Sequence, residues 1–283
     1  MSLRLATRGS RLARWQAEWV AAALGGAELV IVDTAGDRRV DVPLAEIGGQ
    51  GVFVKEVQAA VLDGRADAAV HSAKDLPAVT EPGLVLAAIG PRDDPRDALV
   101  GATLAAIRPG GVVATGSARR RALLHDARPD LEFAELRGNI GTRLDKAAGF
   151  DAIVMAAAAL RRLDLADRIA EALDPELFVP QVGQGAIAVE CRAGDDAVLA
   201  AVAALDDPTT RVAVTAERAF LATLGGGCTQ PVGAYATVAA GGVTLRAFMA
   251  SADLERRWRR TTTGTDPVAL GEAAGRAFAA LVD

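Results

Sequence analysis

The segment Asp67-Ala-Ala-Val-His-Ser-Ala-Lys-Asp-Leu-Pro77 sets His71, Ser72, Lys74 and Asp75 just beyond a short apolar run. A lysine beside an aspartate can hold charge and move protons. The run Asp67 to Val70 reads as a strand bounded by Gly64, and Pro77 keeps a helix from starting early. In open α/β sheets, ligands sit outside the carboxyl ends of strands, where these four residues fall. Read alone, Asp75 caps a turn and Lys74 is solvated. The rest of the chain favours a reactive site.

A second set of residues points to anions. Arg8, Arg119, Arg120, Arg137 and Arg143 all fall at expected strand-to-helix turns or early in the following helix. Helix N-termini offer free N–H groups, and arginine adds a fork that matches a carboxylate. Thr115 and Ser117 can supply hydroxyl and backbone donors in the same turn. Each charge-assisted hydrogen bond contributes roughly 1.5–3 kcal/mol, so several arginines could hold a polycarboxylate firmly. Solvated arginines on helix faces would not cluster at turns. Cys228, in Gly225-Gly-Gly-Cys-Thr-Gln-Pro231, reads either as an accessible thiol or as a small packing residue, whereas Cys191 sits in an apolar run.

Other chemistries find little support. There is no phosphate loop of the G-x-x-x-x-G-K-[ST] type, and Gly48-Gly-Gln-Gly51 is not a dinucleotide fingerprint. With His71 and His125 the only histidines and two cysteines far apart, no metal site is expected. The net charge of −5 argues against general nucleic-acid binding. Of the 31 basic residues only Lys55, Lys74 and Lys146 are lysines, so arginines carry weight by placement rather than number. No apolar run is long enough to span a membrane and no secretory signal is apparent, so a cytoplasmic location is expected.

The elements that must position these residues form an α/β pattern. Leu3 to Ala6 reads as a strand, Ser10 as the N-cap of a helix over Arg11 to Leu24, and Glu28 to Asp33 as a second strand. A glycine-containing loop over 35–51 precedes a helix from Phe53 to Leu62, and Leu84 to Ile89 is a further strand before the crossover Pro91 to Arg96. Gly111-Val-Val-Ala-Thr-Gly-Ser-Ala-Arg-Arg120 then echoes Leu3 to Leu12, and Gly149 to Val154 echoes Arg65 to Val70. The expected fold is therefore two related α/β domains around a cleft. They are joined by two crossovers near Pro91 and Gln181 that would allow hinge movement. The tail adds three antiparallel strands, Val232–Ala239, Val243–Ala250 and Arg256–Thr263, and a helix from Pro267 to Val282, as a small α+β domain.

Eight stretches in order resemble the porphobilinogen deaminase (hydroxymethylbilane synthase) family. They are Ala6-Thr-Arg-Gly-Ser10, His71 to Pro77, Arg92-Asp-Asp-Pro-Arg-Asp97, Ser117-Ala-Arg-Arg120, Leu136 to Arg143, Gly183-Gln-Gly-Ala186, Thr215-Ala-Glu-Arg218 and Gly226-Gly-Cys228. The resemblance implies two type II periplasmic-binding-protein-like domains, residues 1–91 with 184–205 and residues 92–183, and a third domain over 206–283. It implies a transferase that joins four porphobilinogen units head to tail, with loss of ammonia, and releases a linear tetrapyrrole. Growth starts from a dipyrromethane cofactor held by a thioether to Cys228, with Asp75 catalytic. Lys74, Asp75, Thr115, Ser117, Arg119, Arg120, Arg137 and Gly138 would hold the cofactor; Arg8, Ser10, Phe53, Arg143 and Arg162 would hold substrate. A monomer with no nucleic-acid or membrane partner is expected.

This chain departs from the family pattern at Glu46 and Gln50, where lysines are usual, and at Gly116, where serine is usual. The rival expectation, a non-catalytic two-domain binding protein for a small carboxylate, explains the arginines but neither Cys228 nor the tail domain.

Overall fold

A computed structural model of the chain describes residues 2–34, 53–225 and 231–281. The glycine loop with Glu46 and Gln50, and the turn with Cys228, lie outside the described residues. The chain forms two compact units, Met1–Asp93 with Ala186–Val212, and Asp94–Gly185 with Ala213–Asp283.

The first unit is built on a five-stranded sheet of order β2-β1-β3-β10-β4. Its strands are β1 (Leu3–Arg8), β2 (Ala27–Val32), β3 (Ala68–Ser72), β4 (Leu84–Ile89) and β10 (Ile187–Arg192). β1 runs parallel to β2 and β3, while β10 returns antiparallel between β3 and β4. Successive side chains alternate faces, so both faces need cover. Leu5, Val70 and Val189 pack with Ala17 and Val20 of helix α1 (Arg11–Ala23). Ala6 and Ala69 pack with Val57 and Val61 of helix α2 (Lys55–Leu62). Ser10 caps α1 by accepting from the Ala13 N–H, as its position predicts.

β3 extends two residues beyond the strand read from sequence. His71 and Ser72 lie in the ladder rather than in a turn, because β10 pairs Ala188 with His71 and Ile187 with Ser72. The short 3₁₀ turn Ala73–Asp75 follows.

The second unit repeats this plan. Its strands are β5 (Asp97–Val100), β6 (Val112–Ala114), β7 (Glu132–Ala134), β8 (Ala152–Ala156) and β9 (Glu171–Ala172), in the order β7-β6-β8-β5-β9. β6 runs parallel to β7 and β8, and β5 is the antiparallel insert. Helices α3 (Ala118–Ala127), α4 (Ile140–Lys146) and α5 (Ala157–Arg162) follow β6, β7 and β8 respectively. Short helix α6 (Asp196–Val202) continues the first unit, and α7 (Pro208–Thr223) begins there and runs into the second.

The likeness between the units reaches single hydrogen bonds. In the first, Arg4 N–H donates to Asp67 Oδ2 at 2.8 Å while Asp67 N–H donates to Arg4 O at 2.8 Å. In the second, Val112 N–H donates to Asp151 Oδ2 at 2.8 Å and Asp151 N–H to Val112 O at 3.0 Å. Each aspartate thus clasps the start of one parallel strand to its neighbour. An arginine braces each clasp, Arg4 on Asp67 and Arg108 on Asp151.

The tail forms the expected antiparallel meander, β11 (Val232–Ala239), β12 (Gly242–Ala250) and β13 (Arg257–Gly264), with helix α8 (Pro267–Ala279). It belongs to the second unit: Phe248 and Ala250 share a core with Leu99, Val113, Leu123, Phe178 and Val179. Buried Glu217 of α7 accepts from Gly183 N–H at 2.7 Å and Ala236 N–H at 2.8 Å, tying β11 to the segment ahead of β10.

The two clasps make matching predictions. Asp67→Ala and Asp151→Ala each orphan a strand N–H in a part-buried hydrogen bond, a loss of about 1 kcal/mol. Thermal melts should show a similar drop for both. Hydrogen bonds from Arg4 hold the Asp67 carboxyl below its usual 3.8 although burial opposes them. A depressed folded pKa means that the contribution is present above the unfolded value and lost as pH falls through the folded one. The stability gap between the wild type and Asp67→Ala should therefore narrow only below pH 3.8.

Candidate active site

In the first unit, Arg8, Ser10, Gln16, Phe53, His71, Ser72 and Asp75 line one recess, floored by Leu12, Ala13, Val54 and Val70. Its parts come from the carboxyl ends of β1 and β3 and the N-terminus of α1, as a site at the end of parallel strands requires. The Arg8 guanidinium lies 4.2 Å from the centre of the Phe53 ring, a cation–π stack that orients the charge. Asp75 closes the 3₁₀ turn, is partly exposed, and makes no hydrogen bond or ion pair among the described residues. Lys74, its neighbour in the turn, is not among the lining residues.

The strand leading to Asp75 is held from both sides. Ser72 Oγ accepts from Gln16 Nε2 at 2.8 Å and donates to Gln16 Oε1 at 3.1 Å. His71, pointing the other way, lies with Nε2 at 3.3 Å from Glu190 Oε2 on β10. That nitrogen makes no hydrogen bond, so the contact is a close approach and not a directed bond. Gln58 of α2 donates to the same Glu190 oxygen at 2.8 Å. Ala73 N–H adds a bond to Ala186 O at 3.0 Å. The turn that carries Asp75 therefore starts from a fixed strand.

The second unit gathers the other expected residues. Thr115 follows β6 and its Oγ1 accepts from Ser117 N–H at 3.2 Å; Ser117 caps α3 by accepting from Arg120 N–H. Gly138 has φ of +115°, a conformation that favours glycine, and its carbonyl accepts from Arg143 Nε at 2.7 Å. Arg137 is half-buried beside it. Arg162, at the end of α5, is buried and donates to Gly185 O at 2.6 Å.

Arg119 and Arg120 are not solvated: they are 4% and 8% exposed and share one carboxylate, Asp97, itself 1% exposed. Asp97 Oδ2 pairs with Arg119 Nη1 at 2.8 Å, and Oδ1 accepts from Arg120 Nε at 2.9 Å. Burial pushes the Asp97 carboxyl up, but the charges of Arg119 and Arg120, with hydrogen bonds from Arg119 and Gln184, hold it well below the usual range. Asp97 is thus ionised, and arginine stays charged in proteins. Two cations and one anion leave a positive excess inside the protein. Arg120 further donates to Val154 O and Arg119 to Val179 O. Arg119 Nε and Nη2 nevertheless remain buried without a partner among the described residues.

Gly233 of β11 lies against this arginine. A Cβ there would come within 2.7 Å of Val179 O and 3.0 Å of Arg119 Cδ, so only glycine permits the contact. Asp97, Gln184, Gln16 and Glu190 had no role in the reading of the sequence. Asp97 and Gln184 lie inside two of the family stretches, but nothing local marks Asp97 as the partner of Arg119 and Arg120, or Gln184 as the partner of Asp97.

The sequence is matched by known proteins. A family model described as "Porphobilinogen deaminase, dipyromethane cofactor binding domain" matches residues 3–200, and "Porphobilinogen deaminase, C-terminal domain" matches residues 211–280. The porphobilinogen deaminase of Syntrophotalea carbinolica is 49% identical over 285 residues, covering 97% of this chain and 90% of the relative. That of Acidothermus cellulolyticus is 50% identical, covering 93% and 83%, and that of Brevibacillus brevis is 46% identical, covering 95% and 91%. Among solved structures, the Bordetella pertussis BvgS periplasmic VFT2 domain is 19% identical with a TM-score of 0.39, covering 72% of this chain and 86% of that one. With both family domains matched from residue 3 to residue 280, and relatives about half identical along nearly its whole length, the chain belongs to the porphobilinogen deaminase family.

Proposed function

We propose that Asp75 is the catalytic group of a transferase that joins four porphobilinogen molecules head to tail and releases hydroxymethylbilane. The observation that carries this reading is the recess of the first unit, where an unpaired carboxylate shares a wall with Arg8 and Ser10. Porphobilinogen carries acetate and propionate groups, and loss of its ammonia leaves a cationic azafulvene. A substrate of that kind needs anion-binding donors and a carboxylate near its ring nitrogen. Arg8, steadied on Phe53, and Ser10 at the start of α1 hold a substrate carboxylate. The Asp75 oxygens accept the pyrrole N–H, stabilise the positive charge, and take the proton released when the new carbon–carbon bond forms.

The dipyrromethane cofactor bears carboxylates of the same kind, and the second unit fits them. The buried positive excess around Asp97 and the two unpartnered donors of Arg119 form one edge of a guanidinium, the shape that grips a carboxylate at two points. Thr115, Ser117, Arg137 and Gly138 lie at the strand-to-helix turns of the same sheet, and Lys74 adds a charge beside Asp75. In the structure Arg120 donates to Asp97 and Val154 O, so its part is to support Arg119. Arg143 and Arg162 hold substrate carboxylates. When bound, the cofactor supplies the nucleophilic pyrrole carbon from which the chain grows. Cys228, five positions ahead of Gly233, tethers it by a thioether. We further propose that residues 206–283 act as a separate cofactor-bearing domain, and that the protein is a cytoplasmic monomer.

Two measurements test the assignment. Asp75→Asn should lower kcat about 10²-fold or more, the usual loss when a charge-stabilising or proton-moving group is removed. KM and melting temperature should stay near wild type; an unchanged kcat contradicts the assignment. Cys228→Ser should purify without the mass of two linked pyrrole units and should not gain it on incubation with porphobilinogen. A variant that still acquires that mass places the tether elsewhere.

A further inference from the structure

We propose that Asp97 is a positioning residue for the cofactor: its carboxylate, divided between Arg119 and Arg120, leaves the Nε–Nη2 edge of Arg119 free for a ligand carboxylate. The inference rests on the assignment of Arg119 to the cofactor made above.

The two arginines are adjacent on the first turn of α3 and chemically identical, yet Asp97 treats them differently. It takes the side edge of Arg120, with Nε and Nη2 at 2.9 and 2.8 Å from Oδ1. From Arg119 it takes only Nη1, at 2.8 Å from Oδ2. Val179 O accepts from that same Nη1 at 2.7 Å. The edge that Arg120 spends on Asp97 is therefore the edge that Arg119 keeps, buried and unpartnered among the described residues. Asp97 is itself fixed. Gln184 Nε2 donates to Oδ1 at 2.9 Å and to Pro95 O at 2.7 Å, which uses both of its N–H groups.

Charge leads to the same conclusion. Two bare guanidiniums side by side in a dry interior repel each other, and burying either without a counter-ion is costly. One carboxylate makes the pair tolerable and leaves room for a second. If Asp97 were neutral, both arginines would compete for any incoming anion and neither would be aimed. A misplacement of ~1 Å in a positioned group costs about 10²-fold in rate, so the direction in which Arg119 points matters more than its charge alone.

The test compares Asp97→Glu, Asp97→Asn and Arg119→Met by intact mass under denaturing conditions and by the rate of adduct gain with porphobilinogen. Circular dichroism and melting temperature report folding. Asp97→Glu keeps the charge and displaces the carboxylate by one methylene, so it decides the question if Asp97→Asn does not fold. The expected result is a folded Asp97→Glu protein that gains the adduct about tenfold or more slowly than wild type, with Arg119→Met lacking it. A folded Asp97→Glu protein that loads at the wild-type rate while Arg119→Met does not overturns the role of Asp97 alone. Full loading of Arg119→Met overturns the Arg119 assignment, and this inference with it.

Discussion

A buried carboxylate with more cations than it can neutralise is the constraint on which the second unit turns. Asp97 opens β5, the antiparallel insert of the sheet, and so lies beside the end of β8 and under the first turn of α3. Placing Arg119 and Arg120 there carries a desolvation cost that one aspartate offsets only in part. The excess charge and the two unpartnered donors of Arg119 are what a bound carboxylate would complete. Gly233 holds β11 against that arginine, which links the tail domain to the same point.

The two units solve one folding problem twice and then diverge. Both use a β-α-β-α-β order, a clasping aspartate at the start of the third parallel strand, and a serine N-cap after the first. These devices depend on backbone geometry. The side chains at the strand ends face no such demand and can differ. The first unit has Arg8 at the end of β1 and Asp75 three residues past β3; the second has paired arginines on α3 and alanines after β8. On the proposed assignment, one unit suits a reacting centre and the other an anchor for anions.

Much of this was legible in the chain itself. Alternating apolar runs, Ser10 and Ser117 before helices, and the echo of Leu3–Leu12 in Gly111–Arg120 placed the main elements. Eight ordered stretches identified the family and, through it, pointed to Asp75, Cys228 and the arginines as candidates. What the sequence hid is non-local. β5 is four residues long and pairs with β8, more than fifty positions away, so nothing nearby marks Asp97 as a buried counter-ion. The same holds for His71, which read as a turn residue until β10, over a hundred positions later, extended the ladder to Ser72. Arg119 and Arg120 read as equivalent because only distant partners, Asp97 with the Val154 and Val179 carbonyls, distinguish them.

The most direct test is a crystal structure of the cofactor-loaded protein. The account predicts a dipyrromethane carboxylate within hydrogen-bond distance, about 2.9 Å, of both Nε and Nη2 of Arg119, with Asp97 still bridging the two arginines. A structure in which that edge faces protein or solvent, with the cofactor carboxylates held elsewhere, would contradict it.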